Sequence, residues 1–360
     1  MHGWETQSYI FDPRPTYPLR SVVKRFWSPD SPHLRDPQAL TLVFAHGTSF
    51  HKEMWEPVME DLDVLLGKQE LGGGAGGKAG TGMGKVKIRE MWTVDAPNHG
   101  DSLALNREVL EAGYGDLFGW EEYGRSLHLF LAGLGSGVDV DFSGHNLVGV
   151  GHSMGAVCLS LALGYYLKIN FKTLILCEIM ILPRELGVAA TQMLVSGAEK
   201  RRDVWSSREE AYKLLATRGT WKGWDARVLK AFVDYGMCEL PTPEYPDRQG
   251  VTLKCTRGQE AATYRDPIGS QRVYANFGNI VKQVPVHMIY GEIDDYIPTK
   301  AKKDIVEVLS GGVNNLESVA RVKAAGHLIV QMNPTGLAER IFDALVIVAQ
   351  KDGVSLRASL

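Results

Sequence analysis

A chain of 360 residues, 44% hydrophobic and 22% charged, has the composition of a globular protein with room for one large α/β domain or two small ones. A net charge of −3, with no Lys/Arg cluster interleaved with aromatics, excludes a basic field for nucleic acid. The four cysteines show no C-x-x-C spacing, the N-terminus lacks a secretory pattern, and no apolar run is long enough to span a bilayer. A soluble intracellular protein is expected, without disulfide framework, zinc site or stable membrane insertion. Arg201-Arg202 and Lys302-Lys303 read as solvated helix faces.

Residues from about Tyr9 to Trp27 read as two leading strands, with Pro13, Pro15 and Pro18 in the turn between them. The apolar run Leu40–Ala45 predicts a buried strand ending at His46-Gly47-Thr48-Ser49, with a helix over Lys52–Leu66 behind it. Residues 71–85 are more than half glycine and read as a surface insertion. Within it Gly72-x4-Gly77-Lys78 nearly spells a P-loop, but Ala79 stands where Ser/Thr must hold magnesium and no strand precedes it.

A strand over Glu90–Asp95 leads into Ala96-Pro97-Asn98-His99-Gly100-Asp101-Ser102, and a helix is expected over Trp120–Leu131. Asn146–Val150 is a short apolar strand, followed by a helix over Ala156–Tyr166; Thr173–Cys177 is the next strand and ends at Glu178. From about Pro183 to Ile280 the strand rhythm gives way to a helical segment with Trp205, Tyr212, Trp221, Trp224, Phe232 and Tyr235 at loose helical spacing. Strands return at Val286–Tyr290 and near Leu316–Val322, and a last helix runs over about Thr335–Gln350. This alternation predicts a mostly parallel, doubly wound α/β sheet. Residues 1–182 and 281–360 would form its core and 183–280 an inserted helical cap.

The most informative stretch is Gly151-His152-Ser153-Met154-Gly155, a G-x-S-x-G between strand and helix. A serine there sits on a sharp turn with its hydroxyl projecting, and the flanking glycines leave room for the neighbouring strand and helix. Together with His46-Gly47, Gly291-Glu292-Ile293-Asp294 and Gly326-His327, in that chain order, it makes the sequence resemble the α/β-hydrolase superfamily, over roughly residues 20–182 and 281–350. More narrowly, His46-Gly47-Thr48-Ser49-Phe50-His51-Lys52-Glu53, Asp95-Ala96-Pro97-Asn98-His99-Gly100-Asp101 and Val251-Thr252-Leu253-Lys254-Cys255 resemble fungal hydrolases of the AK-toxin-biosynthesis and peroxisomal-lipase type. That resemblance implies a place in secondary metabolism, and it is compatible with a homodimer. Ala358-Ser359-Leu360 is a degenerate form of the S-K-L import signal, so the peroxisome and the cytoplasm are the expected locations.

A serine hydroxyl needs a base within hydrogen-bond reach, and that base needs a carboxylate to fix its tautomer. Ser153 is the candidate nucleophile and His327 the general base, with Asp294 as the first choice of acid and Glu178, a lone carboxylate ending an apolar strand, as its rival. The backbone N–H groups of Thr48 and Met154 are the candidate oxyanion donors, with Ser49 as a stand-in. His51 and Trp55 are placed either at the pocket entrance or in packing and helix capping. No metal-ligand spacing occurs, so neither metal nor cofactor is expected. The expected function is hydrolysis of an ester or thioester of an apolar small molecule through an acyl-enzyme. Acyl transfer, a lyase step in fungal secondary metabolism, and a non-catalytic ligand-binding role are the alternatives.

Overall fold

Unbroken apolar runs build the centre of the molecule. The computed structural model describes residues 1, 3–70 and 84–358; the glycine-rich residues 71–83, with the near-P-loop, and Ser359-Leu360 of the C-terminal tripeptide lie outside them. The strands are β1 (Glu5–Phe11), β2 (Ser21–Trp27), β3 (Leu40–Ala45), β4 (Ile88–Val94), β5 (Asn146–His152), β6 (Phe171–Cys177), β7 (Val204–Trp205), β8 (Met237–Glu239), β9 (Val251–Leu253), β10 (Val286–Gly291) and β11 (Ser318–Val322). Eight of them form one sheet in the order β1-β2-β4-β3-β5-β6-β10-β11. β1 and β2 pair antiparallel, β2 joins β4 antiparallel, and every later pairing is parallel.

All six residues of β3 are buried, because helices cover both faces of the sheet. Alternation assigns the faces: Leu42 and Phe44 join one core layer, Val43 and Ala45 the other. The first layer is closed by the helices Glu56–Glu70 and Pro334–Ala358, the second by Trp120–Leu131 and Met154–Ala162. Strand order reverses between β3 and β5, which opens a crevice beyond their C-terminal ends.

The segment between β6 and β10 carries the helices Arg184–Lys200, Arg208–Leu215, Ala226–Gly236, Arg257–Tyr264 and Gly269–Gln283. It also contains a small antiparallel sheet, β7-β9-β8, where only helix was expected. Strands of two or three residues are too short to show an alternating pattern in sequence. Trp205, Val228 and Phe232 form the buried core of this segment against Phe50 and Met54. The helix Gly100–Gly113 has no counterpart in the sequence expectation; it opens on a glycine at positive φ, its N-cap His99 makes no capping bond, and its first turn is held instead by Asp95, which accepts the Asp101 N–H at 2.9 Å, so the usual local start signal is missing. Among the described residues no helix is long and apolar enough to cross a membrane.

Candidate active site

Among the described residues, those other than glycine with positive φ are Ser49, Ser153, Glu178 and Ala324, and each follows the C-terminal end of a strand of the large sheet. Such backbone conformations cost about 1–3 kcal/mol each and persist where the surroundings over-determine them. Here they turn four loops, after β3, β5, β6 and β11, onto one crevice.

The loop after β5 is the elbow. Ser153 has φ 53° and ψ −115° and stands directly before the helix Met154–Ala162. A Cβ on Gly151 would lie 2.5 Å from the Cα of Ala156, and one on Gly155 would lie 2.7 Å from the carbonyl oxygen of His46. Both positions therefore require glycine for β3, β5 and the helix to approach this closely. Nε2 of His327 lies 2.9 Å from Oγ of Ser153, and its Nδ1 lies 3.2 Å from Oε2 of Glu178. With Nδ1–H donating to the carboxylate, Nε2 is left to accept from the serine hydroxyl.

The carboxylate beside His327 is that of Glu178, and the first expectation, Asp294, is corrected by this geometry. Glu178 is fully buried, and its Oε1 accepts from the Gly291 amide at 2.7 Å and from Nζ of Lys302 at 2.7 Å. Burial pushes its carboxyl up, but the His327 bond and the Lys302 charge more than offset this and hold it below its ordinary value. Asp294 bonds instead to Thr299, to Lys302 at 3.0 Å and to Arg321 at 3.1 Å. The loop leaving β10 turns Asp294 to the outer side of Lys302 while Glu178 holds the inner side. Its neighbour Asp295 accepts the backbone N–H of His327 at 2.8 Å. Lys302 is likewise no solvated residue: it is 1% exposed and joins the two carboxylates.

The loop after β3 carries Thr48 and Ser49. Among the described residues, neither the Thr48 nor the Met154 amide enters any of the loop and turn hydrogen bonds; Met154 follows Ser153 directly, and Thr48, whose hydroxyl lies 3.4 Å from Met154 Sδ, lines the same cavity as Ser153. His46 fixes the start of this loop: it donates from Nδ1 to the Gly47 carbonyl at 2.8 Å and accepts the Ala96 amide at Nε2, 3.0 Å away. Burial lowers its pKa to about 3, so it stays neutral. His152 is lowered to about 3 by the same cause and donates from Nε2 to the His327 carbonyl at 2.8 Å. It thereby ties the elbow to the histidine loop.

His51 and Trp55 do not line the crevice. Trp55 is fully buried against Phe44, and His51 is buried with Nδ1 2.9 Å from Glu53 and its ring beside Phe232. His51 belongs to a network in which the buried Lys52 meets Glu53, Asp95 and Asp101, and Asp101 also meets Lys254. The three sequence motifs that carried the narrower resemblance thus converge in one buried ionic cluster behind the loop. Breaking such a cluster by removing one partner is costly, because a charge is left uncompensated.

Thr48, Ser153 and His327 open onto a cavity of about 990 Å³ between the sheet and the inserted segment. Its apolar wall includes Met180, Leu182, Leu194, Trp224 and Ile268. Trp221 and Trp224 serve both the cavity and the packing around Phe232. Sequence reasoning missed the roles of Lys302 and Glu260: the first was hidden in a Lys-Lys pair, and the second is a single carboxylate whose partner Ser49 lies far along the chain.

A family model described as "Alpha/beta hydrolase family" matches residues 42–340. Among curated proteins, the chain is 29% identical over 219 residues to a type I acyl-CoA thioesterase, mpaH, of Penicillium roqueforti, covering 60% of this chain and 44% of that protein. It is 28% identical over 234 residues to the mpaH' thioesterase of Penicillium brevicompactum, covering 64% and 47%. The chain thus spans under half the length of these relatives. Among solved structures, the peroxisomal alpha-beta-hydrolase Lpx1 of Saccharomyces cerevisiae superposes with a TM-score of 0.72 at 18% identity, covering 98% of this chain and 91% of that one. A thioesterase domain from the curacin biosynthetic pathway superposes with a TM-score of 0.60 at 13% identity, covering 94% and 99%. The sheet order, the elbow between β5 and its helix and the match over most of the chain make this protein an enzyme of the alpha/beta hydrolase family.

Proposed function

We propose that the protein is a serine hydrolase that cleaves a thioester or ester of an apolar acyl group through an acyl-enzyme, with Ser153, His327 and Glu178 as its triad. The observation that carries this reading is the continuous hydrogen-bonded line from Ser153 Oγ through both ring nitrogens of His327 to Glu178. His327 takes the serine proton as Oγ bonds to the acyl carbon, and Glu178 stabilises the imidazolium formed. The Thr48 and Met154 amides receive the oxyanion. On collapse the carbon–sulfur or carbon–oxygen bond breaks and His327 returns the proton to the leaving thiol or alcohol. Water, activated by the same histidine, then releases the acid.

The apolar wall of the cavity supports an apolar acyl group, and the acyl-CoA thioesterase relatives favour a thioester. A fluorophosphonate probe, read by intact mass and peptide mapping, tests the reading: one adduct on Ser153, absent in His327→Ala, is expected. Folded wild-type protein that takes no adduct would sink it.

A further inference from the structure

The cap-facing side of the cavity holds polar groups that the triad does not use. Glu260 and Tyr264 lie four residues apart on the helix Arg257–Tyr264, hence on one face of it. Both line the cavity, and Glu260 is 4% exposed. Ser49 donates its hydroxyl to Glu260 Oε1, and Ser49 Oγ itself lies 3.0 Å from the Tyr264 hydroxyl. Arg201, which follows the helix Arg184–Lys200, pairs with the other Glu260 oxygen at 2.5 Å. On the opposite side, the Ser49 amide donates to Nε2 of His99 at 3.1 Å, and His99 Nδ1 is bonded to Asn98 at 2.8 Å.

Ser49 is therefore clamped twice, by His99 from the core and by Glu260 from the inserted segment. It is held at φ 78°, a conformation that a serine adopts only under such constraint. The residue before it is Thr48, whose amide is the candidate oxyanion donor and stands one residue along the backbone from the clamped Ser49 nitrogen, so a shift of Ser49 displaces the short loop that carries that donor. Burial raises the Glu260 carboxyl above its ordinary value, and Arg201 and Ser49 offset this only in part, so the group is held by its partners and not by solvent.

We propose that Glu260, backed by Arg201 and Tyr264, is a positioning residue for the oxyanion-binding loop, so that the inserted segment sets the aim of the Thr48 amide. This rests on the serine-hydrolase reading above. A displacement of about 1 Å at such a donor costs on the order of 10²-fold in rate. The loss should appear in kcat and not in KM, because the contact is made only in the transition state.

The test compares Glu260→Ala, Glu260→Gln and Ser49→Ala with wild type on a chromogenic acyl ester. It also measures binding of a trifluoromethyl ketone with the same acyl chain, which forms an oxyanion on Ser153. Glu260→Ala should lower kcat by about 10- to 100-fold with KM within about threefold, and weaken the ketone by the same factor. Glu260→Gln, which still accepts from Ser49, should recover most of the loss. Ser49→Ala removes a hydroxyl and leaves the core intact, so it carries the test if Glu260→Ala misfolds; about a 10-fold loss in kcat is expected. Unchanged kcat and ketone affinity in Ser49→Ala, or a rise in KM alone in Glu260→Ala, overturns the proposal. A wild type without fluorophosphonate labelling at Ser153 removes the serine-hydrolase reading itself, whereas a labelled wild type matched in rate by both alanine variants removes only the proposal.

Discussion

The C-terminal ends of β6 and β10 lie side by side in the sheet, and each is followed by a carboxylate in reach of the same lysine. Glu178 follows its strand with no intervening residue, is fully buried, and meets His327. Asp294 stands three residues beyond Gly291, is partly exposed, and meets Lys302, Arg321 and Thr299. Both are held below the usual carboxylate range, yet only one touches the histidine. A depressed pKa and a position after a strand therefore do not tell which carboxylate meets the histidine; the side of Lys302 that it occupies does. The inner position is desolvated, so a charge there acts strongly on the imidazole, while the outer position is screened.

The largest expected effect separates the two carboxylates directly. Glu178→Ala should lower kcat/KM on a chromogenic ester by about 10²- to 10⁴-fold, as loss of the group fixing the histidine tautomer does elsewhere. Asp294→Ala should stay within about threefold. A dead Asp294→Ala beside an active Glu178→Ala would reverse the comparison.

Lys302 links the pair, and its removal comes next. Lys302→Met leaves Glu178 without its buried counter-charge and should cost about 3 kcal/mol in denaturant unfolding, with kcat reduced about tenfold. If Lys302→Met matched wild type in both, the lysine would be a bystander and the inner and outer sides would lose their meaning.

The smallest effect is in pH. Burial raises the Asp294 carboxyl, but its bonds to Thr299, Lys302 and Arg321 outweigh this and hold it at about 2. A folded pKa below the unfolded value of about 3.9 contributes stability that is present above that value and is lost as pH falls through the folded one. Between about pH 4 and 2 the wild type should lose on the order of 1 kcal/mol more than Asp294→Asn, the figure being reduced for solvent screening. Parallel melting curves for the two proteins over that window would show that Asp294 has no such role.

Much of the sheet was legible in the chain. The strand Leu40–Ala45 and a helix near Trp120–Leu131 are legible, because an unbroken apolar run and a well-patterned amphipathic face are local signals. The elbow was legible for a related reason: Gly151 and Gly155 record close approaches of backbone in the sequence itself. The helix Gly100–Gly113 and the strands β7, β8 and β9 were not, since an N-cap histidine that makes no capping bond and strands of two or three residues carry no local signal.

By itself, then, the sequence determined the order along the chain of the large sheet's strands, the serine on its turn and the histidine after the last strand. These depend on short-range sterics and on which stretches must be buried. Only the tertiary structure decided which carboxylate faces His327, that Lys302 is buried, and that Ser49 is bonded to Glu260, 211 positions further along. Electrostatic partners are chosen by distance and desolvation in space, and neither quantity is written in the spacing of residues along the chain.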